Sequence, residues 1–318
     1  MYKLDKIQSI IYLRAIAALG VCVVHIQLAT GVAFNKLIDY IINNGQQGVA
    51  VFFVISGFIL PISLYRNEYE CKNFFRFIAK RSLRVDPPYW FSIIVLFTIG
   101  FYPPNLIQFS RLFYHITYLV PFIKDQEWFT GVYWTLSIEF QFYIILGLIF
   151  PFLINSPKYL SVAVLAAISF FCLRYTVRGL IISYVYDFVF GYIAFLGYTK
   201  LIRLKYFLLI MVAFTIIICC FKSIISGAIP CLTVLVIMFV NTSKNEPVLT
   251  FLGNISYSIY LIHIPIISFI GHYVVEYKLP PIVLSLLFLA SIIPAAYLMY
   301  YLIERPAMKL SKKVKLKP

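Results

Sequence analysis

Ten blocks of apolar residues, many near the roughly 20 a helix needs to cross a bilayer, constrain this chain more than any other feature. A bilayer core offers no hydrogen-bond partners, so such blocks must be helices that satisfy their own backbone groups. Composition agrees. Of 318 residues, 62% are hydrophobic and 12% charged, about half the ~25% charge of an ordinary soluble domain. The predicted spans run roughly over 7–29, 47–65, 88–102, 131–153, 159–173, 179–198, 206–221, 223–240, 248–270 and 281–303. No internal repeat or low-complexity tract interrupts them. The expectation is an all-α polytopic bundle with short loops, residues 1–310 forming one transmembrane domain and 311–318 a basic tail.

The loops carry an uneven share of the basic residues. With the N-terminus inside, nineteen fall on the inner side, including Lys3, Lys6, Lys244 and six in the tail, and seven on the outer side. That asymmetry satisfies the positive-inside rule and puts both termini in the cytoplasm. It also accounts for most of the net charge of +15, so no nucleic-acid partner is needed. The expected location is the bacterial inner membrane. Lys3 and Lys6 before an apolar run resemble a signal peptide, but the run continues to Thr30 with Arg14 inside it, which favours an uncleaved first span. The six cysteines form no CxxC pair and no Cys/His cluster. They read as small apolar residues, with neither a disulfide framework nor a metal site.

Ionisable groups inside a span are costly and point to function. Arg14 and His25 lie eleven residues apart on the first span. At 100° per residue they share a face within about 20°, separated by about 16 Å along the axis. Such a face suits a long thin substrate with an anionic end near the cytoplasm. The plainer alternative is a snorkelling arginine and a hydrogen-bonded core histidine. Glu139 lies in the block Trp134 to Tyr143 on a span running inward, at the level of His25. There it would orient the imidazole as general-base catalysis needs, or else tie helices together. Ser56 and Gly57 permit close helix approach, and packing is the favoured role for Ser56 over a nucleophile. Lys80, Arg81 and Arg84 precede Pro87 and Pro88 on the cytoplasmic side, where they would hold phosphates or lipid headgroups. Tyr260 and His263 share a helix face, and a satisfied core His263 is the favoured reading. His115 and His272, near the outer loops, are given no role.

These pieces in this order resemble the acyltransferase-3 family of membrane-bound O-acyltransferases. The match comprises Arg14–x10–His25, Phe52 to Phe58, Lys80-Arg81–x2–Arg84–x2–Pro87, Trp134 to Tyr143, Ser256 to His263, and Glu304-Arg305-Pro306. It covers about residues 7 to 308. The resemblance implies transfer of an acyl group, usually acetyl from acetyl-CoA as co-substrate, to a carbohydrate or glycolipid acceptor, with no permanently bound cofactor or metal. It makes His25, Glu139 and Arg14 the expected catalytic residues. Arg81, Arg84, Ser56, Trp134, Gln141, Tyr143, Tyr260 and His263 become the expected donor- and substrate-binding residues.

Two departures stand out. Many relatives have an acid where Ala50 stands, and a second Glu where Phe140 stands, so Glu139 is the sole acid of its block. Larger relatives add an extracytoplasmic esterase-like domain that this sequence cannot form, which implies direct acylation or hand-off to a partner. The alternative of another class is a glycan exporter without chemistry. Such a transporter would often show paired halves, and no half-to-half correspondence is found.

Overall fold

The computed structural model describes residues 8–99, 109–240, 246–274 and 277–316. Lys3, Lys6, Lys244, Lys317 and the end of the third predicted span lie outside them. Every element among the described residues is helical: α1 (Gln8–Thr30), α2 (Lys36–Asn43), α3 (Gly48–Arg66), α4 (Phe74–Ile99), α5 (Phe109–Ile116), α6 (Trp134–Asn155) and α7 (Lys158–Cys172). There follow α8 (Val185–Tyr198), α9 (Leu204–Phe221), α10 (Ile224–Phe239), α11 (Pro247–Asn254), α12 (Ser256–Val274), α13 (Pro281–Met299), a π-helical turn (Tyr300–Glu304) and α14 (Arg305–Lys313). Six helical stretches are long and apolar enough to cross a membrane, and α7, α8 and α10 are shorter apolar helices. The ten predicted spans fall on α1, α3, α4, α6 to α10, α12 and α13. Leu160, Phe171, Leu209, Val212 and Leu232 are exposed on α7, α9 and α10, as a lipid-facing surface requires. This is a multi-pass membrane protein.

Three boundaries differ from the sequence expectation, each for a physical reason. The third span starts fourteen residues early, because α4 carries the basic segment inside the same helix and runs on through Pro87 and Pro88. The two prolines lack the N–H groups that would bond the carbonyls of Leu83 and Arg84, yet the helix persists because tertiary packing buries one face, Arg81 and Asp86 included. The span drawn over 248–270 breaks at Ile255 into α11 and α12. A Cβ on Gly253 would lie 2.2 Å from the carbonyl oxygen of Ile11, so α11 approaches α1 backbone to backbone, and Ser256 Oγ caps the break by donating to Gly253 O at 2.8 Å. The span drawn from 179 becomes helical only at Val185.

α1 sits in the interior, in contact with α3, α11, α12 and α13. α3 packs most closely on α8, where a Cβ on Gly57 would lie 2.3 Å from Phe188 O and one on Gly191 would lie 2.2 Å from Val54 O. Ser56, beside that contact, donates to Glu139 of α6 at 2.9 Å. At the basic end of the bundle α14 lies against α4, with Lys80 Nζ donating to Val314 O at 2.9 Å and Leu316 buried in the core.

Candidate active site

A cavity of about 140 Å³ runs through the bundle centre. From α1 it receives Arg14, from α3 Val49, Phe52, Phe53, Ser56 and Ile59, and from α4 Arg81 and Arg84. α6 contributes Thr135, Leu136, Glu139 and Tyr143, α12 contributes Tyr257 and Tyr260, and the π-turn contributes Glu304. Of the eleven expected site residues, seven therefore share one space, and His25, Trp134, Gln141 and His263 are outside its lining. A second cavity of about 360 Å³, at the basic end, shares Ile59, Arg81 and Arg84 with the first and adds Arg66, Lys80 and Lys312. Together they form a basic vestibule that leads into the bundle.

The inner part of this path is crowded with charge. Arg14 feels the charges of Arg84, Glu304 and Glu139. Arg81 is 7% exposed, its guanidinium lies 5.5 Å from the Phe77 ring centroid, and its Nε has no hydrogen-bond partner. A buried polar group without a partner is unusual and costly, and a guanidinium aimed into a cavity is suited to an anionic guest. Glu139 accepts from Ser56 Oγ at 2.9 Å and from the Tyr143 hydroxyl one turn away. Glu304 accepts from Ser258 Oγ at 2.6 Å. It faces the cavity because the π-turn inserts one extra residue per turn at this point, a device common at functional sites.

The far end of the cavity is built differently. Tyr260 lines it, with its hydroxyl 2.8 Å from Thr135 Oγ1 and donating to Val132 O at 3.1 Å. Beyond Tyr260 lie His263 and His25, their ring centroids 5.1 Å apart. His25 Nδ1 is 2.9 Å from Val21 O and 3.2 Å from His263 Nε2, and His263 Nδ1 is 3.1 Å from Ile259 O. A carbonyl oxygen only accepts, so each Nδ1 carries the proton. His263 Nε2 is then the acceptor for a shared His25 Nδ1–H. His25 Nε2 is left with its lone pair free of any of these bonds, the tautomer a general base requires.

Several expectations change here. The partner of His25 is His263, not Glu139. Glu139 lies toward the arginines because the inward run of α6 carries it a full turn past Thr135, which is the residue at the Tyr260 level. Ser56 is a hydrogen-bond donor to Glu139 rather than packing alone. Gln141 is turned from the cavity: its amide donates to Gly179 O at 2.7 Å and its Oε1 accepts from Ile181 N at 3.0 Å, pinning the loop before α8. Trp134 also lies outside the cavity lining, its Nε1 donating to Gly131 O at 3.0 Å and its ring 5.6 Å under the Arg178 guanidinium. His263 is fully buried and reaches any substrate only through His25. Glu304, Tyr257, Arg66 and Lys312 carry no sequence signal of their own, whereas Lys80 belongs to the basic segment read as phosphate-holding. Glu304 stood inside a matched motif, and the vestibule cations stood in the basic segments, but nothing in their spacing indicated one shared space.

A family model described as acyltransferase domain matches residues 7–301. The chain is 26% identical to the O-acetyltransferase OatA of Staphylococcus aureus (strain NCTC 8325) over 50% of this chain and 27% of that protein. It is 32% identical to nodulation protein 10 of Rhizobium leguminosarum bv. viciae over 32% of each. The matched stretches thus span about a third or less of these relatives' own lengths. No solved structure gives a significant match.

Proposed function

Because the chain belongs to the acyltransferase-3 family, whose model covers nearly all of it, we propose that it transfers an acyl group, acetyl from acetyl-CoA, to a hydroxyl of a cell-envelope carbohydrate. The single observation that supports this most is the pairing of two opposite ends in one path. Cations gather at one end, and an imidazole with a free Nε2 stands just past the other.

The basic end faces the cytoplasm of the bacterial inner membrane by the positive-inside rule. The donor's phosphates enter the vestibule against Arg66, Lys80, Arg81 and Arg84, and its pantetheine arm extends along the cavity toward His25. Arg14 and Arg81 hold the anionic portion, and Glu139 and Glu304 act as fixed counter-charges that keep the guanidinium groups apart and oriented. His25 Nε2 takes the proton from the acceptor hydroxyl as that oxygen attacks the thioester carbonyl. The carbon–sulfur bond then breaks, and the thiolate leaves with the proton that His25 returns. His263 holds the ring of His25 in the reactive tautomer.

The test is transfer of label from acetyl-CoA to the carbohydrate fraction of membranes. Loss of base-labile label in His25→Ala is the expected result, and wild-type transfer by that variant rejects the mechanism. Purified protein that labels a glycan with donor and acceptor alone separates direct transfer from hand-off to a partner.

A further inference from the structure

Between the charged cavity and the histidine pair stands a two-ring constriction. Phe52, half-buried on α3, meets the Tyr260 ring edge to face, with centroids 6.0 Å apart and planes at 70°. Tyr260 in turn lies 6.0 Å from the His263 ring, which lies 5.1 Å from His25. Phe52 and Tyr260 both line the cavity, whereas neither histidine does. A donor that arrives from the basic end therefore meets these two rings before its thioester reaches His25.

The two rings are not held equally. Tyr260 is 5% exposed and tied by its hydroxyl to Thr135 and Val132, so turning it breaks two hydrogen bonds in a buried site. Phe52 has no polar tether and only rotameric freedom to lose. Thr135 and Leu136 of α6 and Val49 of α3 close the sides of the passage. These residues lie on the cavity side of the two rings, and the histidines stand behind them.

Resting on the acyl-transfer reading above, we propose that Phe52 and Tyr260 set the acyl-chain limit of the enzyme. A two-carbon acyl group passes the edge of Phe52, and a longer chain must displace the ring. Phe52 is thus a specificity-determining residue that takes no part in the chemistry. Discrimination of this kind accumulates with each methylene, at about 10- to 200-fold for a well-fitted pocket.

The experiment supplies acetyl-, butyryl- and hexanoyl-CoA, each labelled in the acyl group, to membranes of the expressing strain and reads base-labile label in carbohydrate. Wild-type protein is expected to prefer acetyl over hexanoyl by about 100-fold or more. Phe52→Ala is expected to shift that ratio at least tenfold toward hexanoyl, and Phe52→Leu, which keeps most of the volume, to shift it less. If Phe52→Ala does not accumulate, Phe52→Leu and Phe52→Val carry the test through the order of their ratios. A ratio within twofold of wild type in the variants, or an equal fall for all three donors, overturns the proposal. Wild-type membranes that use none of the donors overturn the acyl-transfer reading itself, a distinct result from an unchanged ratio.

Discussion

The two ends of the central path draw on the same helices, α1, α6 and α12, yet they are finished to different degrees. At the far end Tyr260 is bonded to Thr135 and Val132, His263 to Ile259 and His25, and His25 Nδ1 to Val21, so only the His25 Nε2 lone pair is left open for the reaction. At the basic end the carboxylates of Glu139 and Glu304 are bonded to Ser56 and Ser258, but the buried Arg81 Nε is not. A satisfied network holds reacting groups in a fixed geometry, which is how proximity and orientation lower a barrier. An unsatisfied cation is capacity held for a ligand. The difference separates a place for bond making from a place for holding.

That separation can be broken most severely at His25. His25→Ala should lower kcat by about 10²- to 10⁴-fold, the usual range for loss of a general base, while the KM for acetyl-CoA changes little. A variant that mainly raises KM would place His25 on the holding side and dissolve the contrast. Initial rates over a range of donor concentrations decide it.

Arg81 is the converse case. Arg81→Ala should raise the KM for acetyl-CoA about 10- to 100-fold, as expected where a charge-assisted hydrogen bond of about 1.5–3 kcal/mol is lost, with a smaller effect on kcat. Arg81→Lys should recover only part of this, because an ammonium cannot reproduce the planar fork. A pure kcat effect with unchanged KM would argue against donor holding at this end.

Much of this arrangement is legible in the sequence, and the failures have physical causes. Lipid leaves helices as the only solution for long apolar blocks, so ten spans can be drawn. Helical geometry predicts Arg14 and His25 on one face, but of the two only Arg14 lines the cavity. What the sequence conceals is register between helices far apart in the chain. His263 lies 238 residues from His25, and their meeting depends on how closely α11 settles on α1 at Gly253, a packing distance rather than a pattern. Sequence depth along α6 puts Glu139 level with His25, whereas the Tyr260 level belongs to Thr135, one turn earlier. Glu304 depends on a π-turn, and a single inserted residue leaves no periodic trace. Helix α4 ran through two prolines because packing overrode local preference.

A subtler test concerns His263, a positioning residue that acts through His25. His263→Gln can keep an acceptor near His25 Nδ1 and should retain most activity, whereas His263→Leu should lower kcat about tenfold, a loss on the scale of one buried hydrogen bond of ~1–1.5 kcal/mol. The discriminating readout is the pH profile. His263→Leu should move the acidic limb of kcat relative to wild type, since the partner that fixes the His25 tautomer is gone, and His263→Gln should restore it. An unmoved limb with a lowered rate would make His263 a packing residue only.

The last effect falls on stability and not on catalysis, and comes from a histidine that sharpens the contrast by having no lone pair to offer. His115 on α5 accepts from Phe129 N through Nε2 at 2.9 Å, its Nδ1 lies 2.8 Å from Arg111 O, and its ring stacks on Phe129 at 3.6 Å. Both nitrogens are committed, and protonating Nε2 would break the bond to Phe129. Burial, with a smaller contribution from the charge of Arg111, pushes its pKa down to about 4 against the raising effect of the bond to Arg111 O. An unfolded chain would bind this proton near pH 6.5, so the fold excludes a proton that the unfolded state takes up. Stability is therefore full above about pH 6.5 and declines as pH falls toward 4, by on the order of 2–3 kcal/mol across the whole window. Thermal unfolding in detergent between pH 7 and pH 5 should show a steeper fall in Tm for wild type than for His115→Gln, which starts less stable but has no such proton to gain. Parallel slopes would mean that His115 is protonated without penalty, and that its bond to Phe129 N is not what holds the loop against α5.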